Sequence, residues 1–169
     1  MFLAAILDGT AQNKTGLTAL MNGVAHIGNG QVIEGSLIVI EKNRIKEVLD
    51  VRNIRINRLA YDTIIDLSGK HVYPGLINCN NVLGLHDAEA VRATRDFAEV
   101  GAVNPHIRAL IAYNTDNLIV PTIKTNGVLY TQATPRGGLI SGQSSVMALE
   151  GWNWEDAVLK ADDGVHVNF

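Results

Sequence analysis

Few residues in this chain have the type and spacing that chemistry needs. His86 and Glu89, in LHDAEAV, stand three apart and would share one face of a helix, as two ligands of a metal ion do. Asp87 lies between them but adds no third ligand at a fixed angle, so the pair reads as a solvated surface. His106 follows Pro105 in an expected first helical turn, where a polar residue is ordinary. His26 and His71 fall in strand-rich sequence and read as strand-face residues, and His166 stands near the C-terminal end without context. The run PRGGLISGQSS, residues 135–145, lacks the lysine of a phosphate-binding loop, and no Gly-x-Gly-x-x-Gly fingerprint occurs. Gly137, Gly138 and Gly142 are therefore expected to shape a loop, with Arg136 as a candidate anion contact. Ser144-Ser145 lacks the Gly-x-Ser-x-Gly elbow of a nucleophilic serine. Trp152 and Trp154 read as packing around a helix start, with Asn153 as its cap.

These residues need elements to position them, and composition bounds what those can be. In 169 residues, 47% are hydrophobic and 18% charged, which is enough apolar surface for a packed core. A net charge of −3 with scattered basic residues argues against nucleic acid as a partner. No apolar run approaches the roughly 20 residues of a membrane span. Phe2–Leu7 is a short apolar block followed by the small residues Gly9-Thr10-Ala11. Residues 1–16 are thus expected to be a signal-peptide remnant without its basic front, or else a frayed apolar tail. The first case implies a periplasmic or extracellular protein and the second a cytoplasmic one. The single Cys79 cannot form an intrachain disulfide.

Turn signals at Asn22-Gly23, Gly28-Asn29-Gly30, Glu34-Gly35 and Lys42-Asn43 punctuate β-rich runs. SLIVIE (36–41) and RIKEVL (44–49) predict a hairpin about Lys42-Asn43. TIIDL (63–67) and KHVY (70–73) predict a second pair about Ser68-Gly69, and Pro74-Gly75 marks a boundary. Beyond it, Leu76-Ile77 starts a buried strand. Residues 87–100 can be written as a weak helix, and 104–113 as a better one, with Asn104 as cap and Pro105 in the first turn. Strands are expected at 127–132 and 146–149, and a helix at 154–160. The order suggests a small sheet module, residues 17–73, followed by a parallel α/β body, residues 74–169. The chain stops on an apolar strand-like run, which predicts a truncated fragment missing the C-terminal part of its own chain.

The stretches GSLIVIEKNRIKEV (35–48) and IDLSGKHVYPGLIN (65–78) resemble the N-terminal part of the amidohydrolase superfamily, within it the imidazolonepropionase-like group. The later TPRGGLISGQSSVMALEGWNWEDAV resembles exported bacterial members. The resemblance implies an α/β fold, a small β-sandwich followed by the first βα units of an incomplete (β/α)8 barrel. It implies a hydrolase acting on C–N bonds other than peptide bonds on a small-molecule substrate, by metal-activated water. A divalent metal such as zinc is expected in full-length relatives. The group's first metal ligands are Asp-Ala-His-x-His at the end of barrel strand 1, where period-two alternation aims both imidazoles one way. Here those five positions are Asn78, Cys79, Asn80, Asn81 and Val82. Asn80 and Val82 fill the histidine slots; valine has no donor atom, and a neutral amide oxygen suits zinc poorly. No catalytic residue, metal ligand or cofactor is therefore assigned in this fragment, which is expected to be inactive alone. Asn78, Asn80, Asn81 and Arg136 remain as residues lining a cleft. Cys79 alternates with Asn78 and Asn80, and is expected to face the core. The rival to the hydrolase is a non-catalytic binding or scaffold protein on the same fold.

Overall fold

The computed structural model describes residues 15–52, 54–88 and 90–169. Nearly all of the expected export remnant, and Glu89, lie outside the described residues. The chain divides into two compact units, Met1–Pro74 and Gly75–Phe169.

The first unit is built on β1 (Leu17–His26), β2 (Val32–Glu41) and β3 (Arg44–Asp50), joined as antiparallel neighbours. Lys42 and Asn43 both take positive φ, 48° and 62°, as a two-residue hairpin loop of matching twist requires. β4 (Thr63–Asp66) and β5 (His71–Val72) do not form the expected second hairpin. Both run parallel to β1, one after the other along its edge. The Leu67–Lys70 turn passes the irregular middle of β1, where a Cβ on Gly23 would lie 3.0 Å from Leu67 Cβ. Leu67 N–H donates to Met21 O at 2.8 Å and Val24 N–H to Lys70 O at 2.9 Å, so β1 itself takes the groups a hairpin would use. The described part of this unit is one five-stranded sheet, not two stacked ones. One apolar cluster holds Ala19, Met21, Leu37 and Val39, and a separate one holds Ala25, Ile33 and Ile38. His26 Nε2 and His71 Nδ1 are hydrogen-bonded at 2.9 Å, and Tyr73 stacks on His26 with ring centroids 4.2 Å apart.

The second unit is a four-stranded sheet in the order β6 (Leu76–Asn81), β7 (Val128–Ala133), β8 (Ile140–Ala148) and β9 (Val158–Val167). Only the β6–β7 pairing is parallel; β8 turns back and β9 turns again, so the expected parallel body is a mixed sheet. β8 also absorbs half of the expected 135–145 loop. Among the described residues the α-helices of this unit are α1 (Ala109–Ala112), α2 (Val120–Thr125) and α3 (Trp154–Ala157).

The expected helices shrink because their backbones are used elsewhere. Residues 87–100 keep one 3-10 turn, Arg92–Thr94, while Asp96 N–H donates to Leu85 O at 2.8 Å and Thr94 Oγ1 turns inward to Ala88 O at 3.0 Å. In 104–113 only α1 forms. Asn104 N–H donates to Ile140 O (2.9 Å) and Ile107 O accepts from Gln143 N–H (2.7 Å), so this stretch serves β8 instead of a helical ladder. Asn104 does not cap it; its amide donates to Gly101 O. Asn153 does cap α3, accepting from Asp156 N–H at 2.9 Å, but Val158 pairs with Met147 and ends the helix.

α1 sets Leu110 into a core with Leu85, Tyr113, Ala133, Met147 and Ala157. Met147 is fully buried there. Met147→Ala should therefore cost about 2–5 kcal/mol of unfolding free energy. The midpoint of urea unfolding followed by tryptophan fluorescence reports this, since Trp152 and Trp154 both lie in this unit. An unchanged midpoint would remove Met147 from the core.

Candidate functional site

The sheet of the second unit gathers polar side chains at one end. β6 and β7 are parallel, so their carboxyl ends lie together; the amino end of β8 and the carboxyl end of β9 reach the same edge. Asn78, Asn80 and Asn81 come from β6, Gln132 and Arg136 from β7 and its exit, Ser144 from β8, and Asp163 and His166 from β9.

β6 does not end as a regular strand. Asn78 pairs with Thr131 and Asn81 with Ala133, so three steps on β6 face two on β7. The extra residue is Asn80, at φ 51°, a left-handed conformation that asparagine tolerates better than most residues. Its N–H donates to Gln132 Oε1 at 3.0 Å, and its carbonyl accepts from Arg136 Nη2 at 2.6 Å. Asn81 closes the end: its amide donates to Asn78 O (2.7 Å), and its side-chain oxygen accepts from Leu83 N–H (2.8 Å) and Thr131 Oγ1 (2.9 Å). Thr134 N–H donates to Asn81 O at 2.7 Å.

This bulge overturns the alternation expected of the two histidine slots. Val82 packs against the Leu85–Leu110–Tyr113 core, while Asn80 is exposed. The two positions do not share a face. Cys79 is likewise corrected, being exposed rather than in the core. Among the described residues, no group of three or more His, Cys, Asp or Glu side chains is placed to hold a metal ion. The residues at the end of β6 do not fit a divalent cation either. The backbone oxygens of Asn78 and Asn80 and the side-chain oxygen of Asn81 already accept N–H or O–H donors, and one of those donors is a guanidinium.

Arg136 is held from behind. Its N–H donates to Phe97 O at 2.6 Å, and Leu139 and Ile140 N–H both reach Ala102 O, at 2.7 and 3.0 Å. Gly138, at φ 63°, passes so close that a Cβ would sit 2.8 Å from the carbonyl oxygens of Gly101 and Ala102. Of the expected loop glycines, this one fastens the loop.

Beside Arg136 runs a polar line that spacing could not reveal. Gln132 Nε2 donates to Asp163 Oδ2 at 2.8 Å and meets Ser144 Oγ at 3.4 Å; Lys160 pairs with Asp163 Oδ1 at 2.7 Å. Lys160 first, then Gln132, holds the Asp163 carboxyl below the usual carboxylate range. Burial, then the charge on Arg136, pushes the His166 imidazole down, with Asp163 partly offsetting them. Strand alternation was the one available signal for Gln132; Ser144, Asp163 and His166 needed the antiparallel turn-back of β8 and β9.

The remaining candidates lie elsewhere. His86 is half-buried, edge-on to Phe97 at 5.8 Å, rather than on a solvated face. Asp87 accepts from the amides of Asn114 and Asn117, each at 3.0 Å, and so ties loops together. A cavity of about 510 Å³ lined by Tyr113, Val120, Lys124 and Leu149 lies by α2, at the opposite end of β7 from the polar cluster. It carries an ion pair, Lys124 with Glu150, and a Tyr113 phenol that burial pushes up to about 12, so that it stays protonated.

No protein-family model matches the chain. In sequence it is 32% identical over 71 residues to a 5-methylthioadenosine/S-adenosylhomocysteine deaminase from Halothermothrix orenii, covering 42% of this chain and 15% of that protein. In structure it resembles the crystal structure of an amidohydrolase from Thermotoga maritima, with a TM-score of 0.79 and 22% identity over 90% of this chain. It spans 39% of that chain, so the likeness is one of fold over part of a longer protein.

The site makes one electrostatic prediction. The His166 ring should titrate below the ordinary 6.5, measured by NMR. Arg136→Gln should raise that midpoint and Asp163→Asn should lower it. Because the folded-state value lies below the unfolded one, stability should fall as pH drops through the ordinary histidine range. A midpoint unmoved by Arg136→Gln would separate the two side chains.

Proposed function

We propose that this chain belongs to an amidohydrolase-like protein that, at full length, hydrolyses a C–N bond other than a peptide bond in a small molecule. The observation that carries this is the fold likeness to the Thermotoga maritima amidohydrolase over 90% of the chain. The local sequence likeness to a deaminase points the same way, since deamination also cleaves a C–N bond with water. On this proposal β6 and β7 are the first parallel strands of a (β/α)8 barrel and the first unit is part of its companion β-sandwich. The polar end of the sheet is the substrate side, where such barrels keep their sites. Residues 75–169 alone would be inactive, because about 250 residues close a barrel. The imidazolonepropionase-like grouping and export through residues 1–16 belong to the same proposal, and rest on the sequence motifs.

This chain's own contribution is binding and positioning. Asn80, Gln132 and Arg136 set a fixed array of donors and acceptors, and Asp163, already paired, is an electrostatic brace rather than a base. Any metal would have to be gripped by later strands.

A second proposal, a non-catalytic binding or scaffold protein, is favoured by one observation: Val82 packs against the core and Asn80 O is taken by Arg136. Assaying the full-length protein against cyclic amides, N-acyl amino acids and aminopurine nucleosides, with metal content measured alongside, separates the two. Turnover above that of a heat-denatured control is the expected result. Ligand binding without turnover of any of these classes would favour the binding protein.

A further inference from the structure

We infer that the carboxyl end of β6 and β7 is a subsite for a carboxylate-bearing small molecule, in which the guanidinium of Arg136 supplies the positive charge instead of a bound divalent cation. The inference takes that end of the sheet as the ligand side, as the proposed function does, but it does not require hydrolysis.

Three observations carry it. First, the backbone oxygens of Asn78 and Asn80 and the side-chain oxygen of Asn81 are occupied by donors. Asn80 O accepts from Arg136, Asn78 O from Asn81 Nδ2, and Asn81 Oδ1 from Leu83 N–H and Thr131 Oγ1. A cation brought to this edge would meet the fixed guanidinium of Arg136. An anion would meet attraction.

Second, Arg136 is pre-organised. Its backbone is bonded to Phe97 O, the loop after it is bonded twice to Ala102 O, Pro135 before it is buried, and Gly138 seals the loop against residues 101–102. Its side chain is tethered at one point, Asn80 O. Little conformational freedom is left to lose on binding, which favours a charged contact that would otherwise be weak.

Third, the charge is uncommitted. Among the described residues Arg136 makes that one side-chain hydrogen bond and no ion pair. The neighbouring carboxylate, Asp163, has one oxygen on Lys160 and the other on Gln132. Four guanidinium N–H groups therefore remain, in a planar fork that matches a carboxylate in two parallel hydrogen bonds. His166, on β9, lies close enough to feel the charge of Arg136.

The test is an NMR titration of the whole protein in EDTA, with N-acetylglycine as probe and the uncharged N-acetylglycinamide as control. Saturable shifts at the amides of residues 80, 132, 136 and 166 are expected with the acid and not with the amide. Arg136→Gln should weaken binding at least about tenfold, the loss of a charge-assisted hydrogen-bond pair, and Arg136→Lys should weaken it less. Arg92→Gln, outside the cluster, should leave it unchanged. Equal shifts with acid and amide, no saturable shift, binding unaltered in Arg136→Gln, or binding that appears only on adding Zn²⁺ would each overturn the inference. If Arg136→Gln fails to fold, the acid–amide comparison and Arg136→Lys still decide. Arg136-dependent binding without turnover would sustain this inference and remove the hydrolase. Zinc-dependent turnover insensitive to Arg136 would do the reverse.

Discussion

One backbone conformation governs the rest of the second unit. Asn80 takes a left-handed φ of 51° at the end of β6, and the strand gains a residue relative to β7. That single step reverses the facing of the residues after it. It packs a partly buried Val82 against the core of Leu85 and Leu110, and it turns the Asn80 carbonyl outward to Arg136. Without the step, strict alternation would put residues 80 and 82 side by side at the strand mouth. With it, the chain trades a pair of outward side chains for one core side chain and one backbone acceptor. Asparagine suits the position because its short polar side chain tolerates this region. The Arg136 loop answers from across β7, and its own fixed points on Phe97 and Ala102 make the contact a property of the fold.

The legible parts of the sequence were those decided by local chemistry. The Lys42-Asn43 hairpin followed from a two-residue loop between alternating strands, and Asn153 from its position ahead of Trp154-Glu155-Asp156. The illegible parts were those in which a distant backbone competes. Asn104-Pro105 is a good helix start in isolation, but Gln143 of β8 claims the Ile107 carbonyl that a helix would use, and Ile140 ties Asn104 to the strand. TIIDL and KHVY would pair with each other if β1 did not offer a free edge to both. At the site, the Asn78–Asn81 run and Arg136 could be singled out from residue type and from the family resemblance. Asp163 and His166 could not be linked to them, because they join the cluster only through two successive antiparallel turns. The bulge was hidden for a similar reason: Asn-Asn reads equally well as a regular strand end.

For function, the consequence is a division of labour between fold and site. The fold is shared with an amidohydrolase of known structure, at an identity of 22%, and a fold hosts many chemistries. What this chain brings to the polar edge is a fixed cation made of protein. Asp163, braced by Lys160 and Gln132, and His166, held down by burial and by Arg136, form the rest of the electrostatic frame. Within that frame the Arg136 guanidinium is the group that would stabilise negative charge on a bound molecule without reorganising, which on the proposal above serves either positioning for catalysis or selective binding.

Everything at this edge depends on Val82 packing against the core and not standing at the strand mouth. Nuclear Overhauser contacts of the Val82 methyl groups test it directly. Contacts to the side chains of Leu85, Leu110 or Tyr113 are expected. Methyl groups that instead contact the Asn80 and Gln132 side chains would restore regular alternation and contradict it.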